Sequence, residues 1–181
     1  MRFFAGPGVG GDGRNGYNCR MKETEMRVLF VCLGNICRSP AADGVFRGMA
    51  QAAGVDVEVD SAGIGSWHVG QLPDRRMREC GRRHGYTFDH RARQVTPGDF
   101  GNFDLVVGMD VQNIADLRDL APDEAGEAKI RLMADYLTRH PGRRSIPDPY
   151  YGEEEDFEMA VELIEDAARE MVRRIAKGER L

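Results

Sequence analysis

The chain has 181 residues, enough for one domain with a substantial core, and 41% of them are hydrophobic, as is usual for globular proteins. A net charge of -5 argues against a general nucleic-acid binder, although an acidic protein can still carry one local anion pocket. No apolar stretch approaches the ~20 residues of a membrane span and no signal peptide is recognisable, so the sequence predicts a cytoplasmic protein with no membrane partner.

The patterned part of the sequence begins after a glycine-rich stretch. Residues 1–25 contain little apolar periodicity and are predicted to form a disordered tail, whereas residues 26–181 are predicted to form one domain. Its first strand is the apolar run Val28–Val31, typical of a strand buried in a parallel sheet. A helix is predicted for residues 39–53, with Gly54 at its C-terminal cap.

The remaining elements alternate between strands and helices. Strands are predicted for residues 55–59, 105–107 and 129–132. Helices are predicted for residues 74–84, 111–120 and 153–177. This alternation predicts an α/β sandwich built on a parallel sheet, in which ligands bind at the carboxyl ends of the strands.

The loop from Cys32 to Arg38 combines an anion-binding site with a nucleophile. Backbone N–H groups at a helix N-terminus lack internal partners, and Gly34 and Asn35 tolerate the left-handed conformation that lets such groups converge. Arg38 adds a planar guanidinium that matches two phosphate oxygens. The same positive environment stabilises the thiolate of Cys32, which predicts attack on bound phosphorus and a phosphocysteine intermediate. No Gly-Lys-Ser/Thr follows, so a nucleotide-triphosphate loop is disfavoured.

Asp148 is the strongest candidate for the general acid that a departing oxygen needs. Pro147 and Pro149 stiffen its loop, and apolar and aromatic neighbours favour a protonated carboxyl group. From these residues alone, a Pro-Asp-Pro turn before a helix is the simpler interpretation.

Together, Cys32–Pro40 and Asp148–Tyr151 resemble the loops of the low-molecular-weight protein tyrosine phosphatases, and the resemblance covers nearly the whole chain apart from the tail. It implies a three-layer sandwich around a four-stranded parallel sheet of flavodoxin-like order 2-1-3-4. It also implies hydrolysis of phosphomonoesters in two steps, without metal or cofactor. Cys32 corresponds to the family's nucleophile, Arg38 to its phosphate clamp and Asp148 to its general acid.

The resemblance also implies which residues surround the substrate. These are Leu33, Gly34, Asn35, Ile36, Cys37, Ser39, Trp67, Tyr150 and Tyr151. Ser39 corresponds to the hydroxyl that stabilises the thiolate, and Asn35 to the residue that holds the loop in its strained shape. Leu33 and Ile36 are expected at the pocket rim. In the family, isoleucine at position 36 goes with phosphotyrosine hydrolysis, and threonine goes with a phosphoarginine-specific branch.

Four further residues receive supporting roles from the same resemblance. Ser61 and His90 correspond to residues that hydrogen-bond the loop asparagine, and Asp110 to a carboxylate near the loop base. Cys37 corresponds to a cysteine that forms a reversible disulfide with the nucleophile under peroxide. The remaining histidines are assigned no role: His68, His84 and His140.

Other functions stay open at this point. A phosphoarginine phosphatase would use the same loop, and a catalytically silent phosphate-binding module has nothing in its favour. A thiol-dependent arsenate reductase shares the loop and fold, but it needs two further cysteines beyond the second helix, where this chain has only Cys80. No metal is expected, because the Cys32–Cys37 spacing is not CxxC. The expected partners are phosphotyrosine-containing proteins or peptides, and a weak homo-oligomer is left open.

Overall fold

The structure, a computed structural model, describes residues 26–181, so the predicted tail at residues 1–25 lies outside the described residues. The strands are β1 (Met26–Cys32), β2 (Val57–Gly63), β3 (Leu105–Gly108) and β4 (Ile130–Leu132). All pairings are parallel, and the strand order in the sheet is β2-β1-β3-β4. The predicted parallel sheet and its order 2-1-3-4 are confirmed.

Helices flank the sheet in two layers. They are α1 (Arg38–Ala52), α2 (Arg75–Arg83), α3 (Asp99–Asn102), α4 (Val111–Leu120), α5 (Glu124–Glu127) and α6 (Glu154–Ala176). The four longer helices differ from their predicted bounds by at most one residue at each end. The one-turn helices α3 and α5 were not predicted, because a single turn is too short to show an apolar period. No helix within residues 26–181 has the length and apolar character needed to span a bilayer.

The central strand β1 is buried on both faces, as its continuous apolar sequence predicts. Val28 and Phe30 belong to one hydrophobic cluster, which also contains the inner faces of α1 and α6. Leu29 and Val31 belong to a second cluster on the opposite face. All four side chains are fully buried, and each stabilises the fold by about 1.5–3 kcal/mol relative to an exposed position. The end of β1, where the functional loop begins, is therefore rigidly placed.

The prediction for the second strand was wrong in its bounds. Residues 55–59 were expected, but the strand covers Val57–Gly63. Val55 instead completes the end of α1, because its N–H donates to the carbonyl of Ala50 and Gly54 takes a left-handed conformation with φ 67°. The strand continues through Asp60 and Ser61, which do not fit the alternating pattern because their side chains bind specific partners near the site.

The carboxyl ends of the three longest strands meet at one edge of the sheet. Cys32 at the end of β1 is paired with Gly63 at the end of β2, and Val31 is paired with Gly108 at the end of β3. The loops that follow these strands therefore converge, as expected for a ligand site in a parallel α/β fold.

Candidate active site

The loop after β1 is held in shape by the buried side chain of Asn35. This residue has φ 55°, the only left-handed backbone conformation found at a non-glycine residue among those described. Its amide nitrogen donates to the hydroxyl groups of Ser39 (2.9 Å) and Ser61 (3.0 Å). Its amide oxygen accepts from the backbone N–H of Arg93 at 3.0 Å. All the hydrogen-bonding groups of a buried amide are thus used to stabilise an unfavourable backbone conformation.

The predicted contact between His90 and Asn35 was wrong. His90 Nε2 lies 3.1 Å from the backbone carbonyl of Ser61 and 3.3 Å from Asp60 Oδ1. The imidazole therefore supports β2 beside the loop and does not hydrogen-bond Asn35 directly. Arg93, whose backbone takes the position expected of His90, was not predicted, because backbone donors carry no residue-specific signal.

The thiol of Cys32 lies at the base of the loop and is almost fully buried. Its Sγ atom is 3.0 Å from Ser39 Oγ, which also lies 3.2 Å from the carbonyl of Ala62. Because Asn35 donates to the same hydroxyl oxygen, the single hydroxyl hydrogen of Ser39 is free to point toward the sulfur or toward Ala62. A thiolate at Cys32 would therefore find a hydrogen-bond donor already in place.

The polar backbone groups of the loop divide into two sets. Three carbonyls accept hydrogen bonds from neighbouring backbone: Cys32 from Ile64, Leu33 from Gly65 and Ile36 from Asp74, at 2.8–2.9 Å. In contrast, no backbone N–H from Leu33 to Cys37 donates to an acceptor within residues 26–181. The carbonyl groups hold the loop, and the N–H groups remain as a cluster of donors suited to an anion.

Arg38 follows this donor cluster in the sequence, and its side chain is only 3% exposed. Its Nη1 lies 2.6 Å from Asp110 and 3.2 Å from the carbonyl of Ile146, and its Nη2 lies 2.7 Å from Asp148. Its Nε has no hydrogen-bond acceptor among the described residues. Burial alone would lower the pKa of Arg38, but the negative charges of Cys32 and the two carboxylates outweigh burial and raise it. The guanidinium is therefore a permanent cation with one buried donor to spare.

A pocket of about 310 Å³ opens above the loop. It is lined by Cys32, Leu33, Gly34, Ile36, Cys37, Trp67, His68, Asp148, Tyr150 and Tyr151. Trp67 (67% exposed) and Tyr151 (96% exposed) form its outer edge, and the rings of Tyr150 and Tyr151 meet edge to face at 4.8 Å. Leu33 lies at the rim as predicted, whereas Ile36 is only 8% exposed and forms part of the wall.

Two residues predicted to bind substrate lie behind the loop. Asn35 and Ser39 are fully buried and do not line the pocket. Cys37 does line it, and burial followed by the charge of Cys32 raises the pKa of its thiol well above the ordinary range. Cys37 is thus a neutral thiol at physiological pH, and its disulfide with Cys32 stays a prediction.

Comparison with known proteins shows the family of this chain. The family model described as low molecular weight phosphotyrosine protein phosphatase matches residues 27–181. The chain belongs to this family. A putative low molecular weight protein-tyrosine-phosphatase of Synechocystis, slr0328, is 45% identical over 156 residues, which are 84% of this chain and 98% of the relative. The low molecular weight protein-tyrosine-phosphatase of Streptomyces coelicolor is 46% identical over 145 residues, 78% of this chain and 88% of the relative.

Solved structures of the phosphatase family share the fold. The crystal structure of a protein tyrosine phosphatase from Entamoeba histolytica, with Hepes in its active site, superposes with a TM-score of 0.82. It is 41% identical to this chain, and the match covers 85% of this chain and 99% of that one.

Two features of the site in this phosphatase-family member were missed from the sequence, one in the pocket and one behind the loop. His68 lines the pocket, with Nδ1 3.0 Å from Gln71 Oε1 and its ring 6.4 Å from that of Tyr150. Gly63 at the end of β2 packs against the loop, where an added Cβ would lie 2.9 Å from the carbonyl carbon of Gly34. A surface-loop histidine and a strand-end glycine are both common, so neither had a distinguishing signal.

Proposed function

We propose that this chain is a protein tyrosine phosphatase that hydrolyses phosphotyrosine in proteins or peptides through a phosphocysteine intermediate on Cys32. The observation that carries the proposal is the content of one pocket. The buried thiol of Cys32, the loop whose backbone N–H groups have no acceptor among the described residues, and Asp148 all line this pocket, and Arg38, with its spare Nε donor, lies beside it in an ion pair with Asp148. These groups supply a nucleophile, a phosphate cradle and a proton donor within one site.

In the first step, the Cys32 thiolate attacks the phosphorus atom of the bound phosphate monoester. The loop N–H groups and Arg38 hold the equatorial oxygens and stabilise the charge that they carry in the transition state. The P–O bond to the tyrosine breaks, and Asp148 gives a proton to the departing phenolic oxygen. The products of this step are free tyrosine side chain and phosphocysteine.

Substrate binding prepares Asp148 for this role. In the structure Asp148 is ion-paired with Arg38, an arrangement that suits a carboxylate. An entering phosphate competes for the same guanidinium nitrogen, so Asp148 loses a cation and gains a dianion as its neighbour. The displaced carboxyl group is then free to lie beside the oxygen that leaves, where a general acid is needed.

In the second step, water attacks the phosphocysteine and Asp148 accepts its proton. Phosphate leaves, and the thiolate of Cys32 is regenerated. The hydroxyl of Ser39, 3.0 Å from Sγ, can donate to the sulfur as its negative charge returns. Arg38 and the loop supply the positive charge for both steps, so neither step calls for a metal.

The shape of the pocket favours an aromatic phosphate ester. Trp67, Tyr150 and Tyr151 surround its entrance, where a phenyl ring can stack, and Ile36 adds an apolar wall. A thiol-relay reductase is disfavoured, since Cys80, the one cysteine described beyond α1, is fully buried.

The test compares phosphotyrosine, phosphoserine and phosphoarginine peptides as substrates of the wild type and of Cys32→Ser. We expect the wild type to prefer the phosphotyrosine peptide and to yield an acid-trappable phosphoenzyme during turnover. Cys32→Ser should remain folded and lose turnover, because the serine hydroxyl is not ionised at neutral pH. Residual turnover at the wild-type rate in Cys32→Ser would refute the mechanism, and preference for phosphoarginine would refute the substrate.

A further inference from the structure

A second cluster of reactive side chains lies between α2 and α6, outside the phosphatase pocket. Cys80 and His84 are four residues apart, in the last turn of α2 and at its C-terminal cap, which places them on the same face. Glu158 of α6 lies opposite them. One ligand atom from each of these residues lies within 4.8 Å of the other two. Sulfur, imidazole nitrogen and carboxylate oxygen are the donor atoms of protein zinc sites.

His84 is held in an orientation typical of a metal-binding imidazole. Its Nδ1 lies 3.4 Å from Glu165 Oε1, and its Nε2 lies 2.6 Å from Glu158 Oε2. Glu165 can hold the proton on Nδ1 while a metal replaces the proton between Nε2 and Glu158, which is the arrangement of carboxylate–histidine–zinc triads. Glu158 is also fixed from behind, because Arg83 Nε donates to its other oxygen, Oε1, at 3.0 Å.

We propose that Cys80, His84 and Glu158 form a binding site for a divalent cation, with Zn²⁺ as the best match to this mixed sulfur, nitrogen and oxygen set. The cation would bond to Cys80 Sγ, His84 Nε2 and Glu158 Oε2, with Glu165 positioning the imidazole. It replaces the thiol proton and the proton shared by His84 and Glu158. A fourth, tetrahedral position is left for water.

The site needs only a small rearrangement to accept the ion. Bonds of about 2.0 Å in tetrahedral geometry separate a nitrogen and an oxygen ligand by about 3.3 Å. The present 2.6 Å contact between His84 and Glu158 must therefore widen by roughly 0.7 Å. The side chains of His84 and Glu158 are 20% and 32% exposed, which gives both the freedom to move and a path from solvent.

A cation here would join α2 to α6 close to the loop that carries Asp148. The helix α6 begins shortly after that loop, and Arg76 of α2 donates to the carbonyl of Tyr150 at 2.9 Å. The ion is not part of the phosphatase chemistry, so we expect its main effect on stability. Binding to the folded state alone raises the melting temperature.

The test uses the full chain carrying Cys32→Ser, so that the active-site thiol cannot bind metal. Co²⁺ is the probe, because thiolate ligation gives a sulfur-to-cobalt charge-transfer band in the near ultraviolet. We expect one Co²⁺ per chain with this band, competition by Zn²⁺, and an increase in melting temperature with Zn²⁺. Adding Cys80→Ser should abolish the band, and adding His84→Gln or Glu158→Gln should weaken Zn²⁺ binding more than about tenfold.

Matched controls separate the site from general metal binding. His140→Gln and Glu162→Gln change exposed residues of the same types and should leave both the band and the Zn²⁺ affinity unchanged. Glu165→Gln should weaken binding by about tenfold if it positions the imidazole. A band that survives Cys80→Ser, an affinity unaffected by His84→Gln, or no stoichiometric binding at all would overturn the proposal. Cys80 is fully buried, so the two partly exposed variants keep the test decisive should Cys80→Ser fail to fold.

Discussion

Replacing Gly63 by alanine should displace the loop from Cys32 to Arg38 and lower activity, although Gly63 lies outside that loop. A Cβ at this position would lie 2.9 Å from the carbonyl carbon of Gly34 and 3.0 Å from the backbone nitrogen of Asn35. Both contacts are with backbone, so no flexible side chain can turn aside. Gly63 itself is held by its N–H bond to the carbonyl of Arg93 and by the bond that its carbonyl accepts from Val95. We therefore expect the loop to move, because the end of β2 is held by these bonds.

The size of the effect follows from these distances. Ordinary contacts of a Cβ begin at 3.4 Å, so the loop must move by about 0.5 Å. Overpacking of this kind costs about 1–3 kcal/mol of stability, which lowers the melting temperature by roughly 2–4 °C for each kcal/mol. A misplacement of 1 Å in an active site can cost about 100-fold in rate, so a shift of half that size should lower kcat/KM by about tenfold.

The assay is hydrolysis of an aryl phosphate by Gly63→Ala, together with its melting temperature. Gly101→Ala is the matched control, because a Cβ there meets nothing within 4 Å and the residue lies in the short helix α3. The control should retain wild-type kcat/KM and stability. If Gly63→Ala folds and keeps wild-type kcat/KM, the close packing of β2 against the loop does not position the donor groups, and the reasoning fails.

Three further predictions address the acid, the fold and the pocket entrance. Asp148→Asn should slow aryl phosphate hydrolysis by about 100-fold or more for poor leaving groups and much less for good ones. Asp135→Asn, a change at an exposed residue, is the control and should keep the wild-type rate. Equal slowing of good and poor leaving groups, or the same loss in the control, would argue against the acid role. Burial alone would raise the pKa of Asp166, but hydrogen bonds from two backbone N–H groups and a hydroxyl outweigh it and lower the pKa from 3.8 to about 2. This depressed pKa stabilises the fold above pH ~4, and the stabilisation is lost as pH falls toward 2. In urea unfolding, Asp166→Asn should therefore have a free energy of unfolding up to about 2 kcal/mol lower than the wild type at pH 7, and the difference should disappear near pH 2. A difference independent of pH would contradict this. Trp67→Ala should raise KM for a phosphotyrosine peptide about fivefold with kcat retained, because stacking contributes about 1 kcal/mol. The control Val69→Ala, on the same loop, should change neither KM nor kcat. An unchanged KM in Trp67→Ala would show that Trp67 does not stack on the substrate.

The fold was predictable wherever one strand or helix carries its own pattern. The run Val28–Val31 identifies the central strand, because only a strand covered on both faces is apolar at every position. The second strand was misplaced for the opposite reason. Asp60 and Ser61 are polar because they bind Arg93 and Asn35, and such pairings join residues far apart in the sequence. Side chains recruited for function thus interrupt the pattern that periodicity detects.

The site was predictable to the extent that it is local. Cys32 to Arg38 are consecutive, so their spacing alone predicts a phosphate loop. Of the distant partners that hold the loop, Ser61 was expected only through the family resemblance, and its bond to Asn35 is present. Gly63 and the backbone of Arg93, which the sheet also brings to the loop from a distance, were not predicted. The cluster of Cys80, His84 and Glu158 escaped prediction in the same way, because Glu158 lies on a different helix and its spacing from His84 fits no ligand motif.

Asp110 and Asp148 lie at similar distances from the guanidinium of Arg38, 2.6 and 2.7 Å, but the two carboxylates are held in place differently. We propose that this difference lets Arg38 keep its orientation and still bind phosphate. Asp110 is the N-terminal cap of α4, where its Oδ1 accepts from the N–H of Asn113 at 2.8 Å, so it is anchored by a helix. Asp148 lies on a loop, is 40% exposed, and is held otherwise only by a 3.2 Å contact with the N–H of Tyr150. In the proposed mechanism, an entering phosphate therefore displaces Asp148 and leaves Asp110 in place. On this proposal Arg38 keeps its orientation, and the displaced carboxyl group of Asp148 lies beside the leaving oxygen as its general acid.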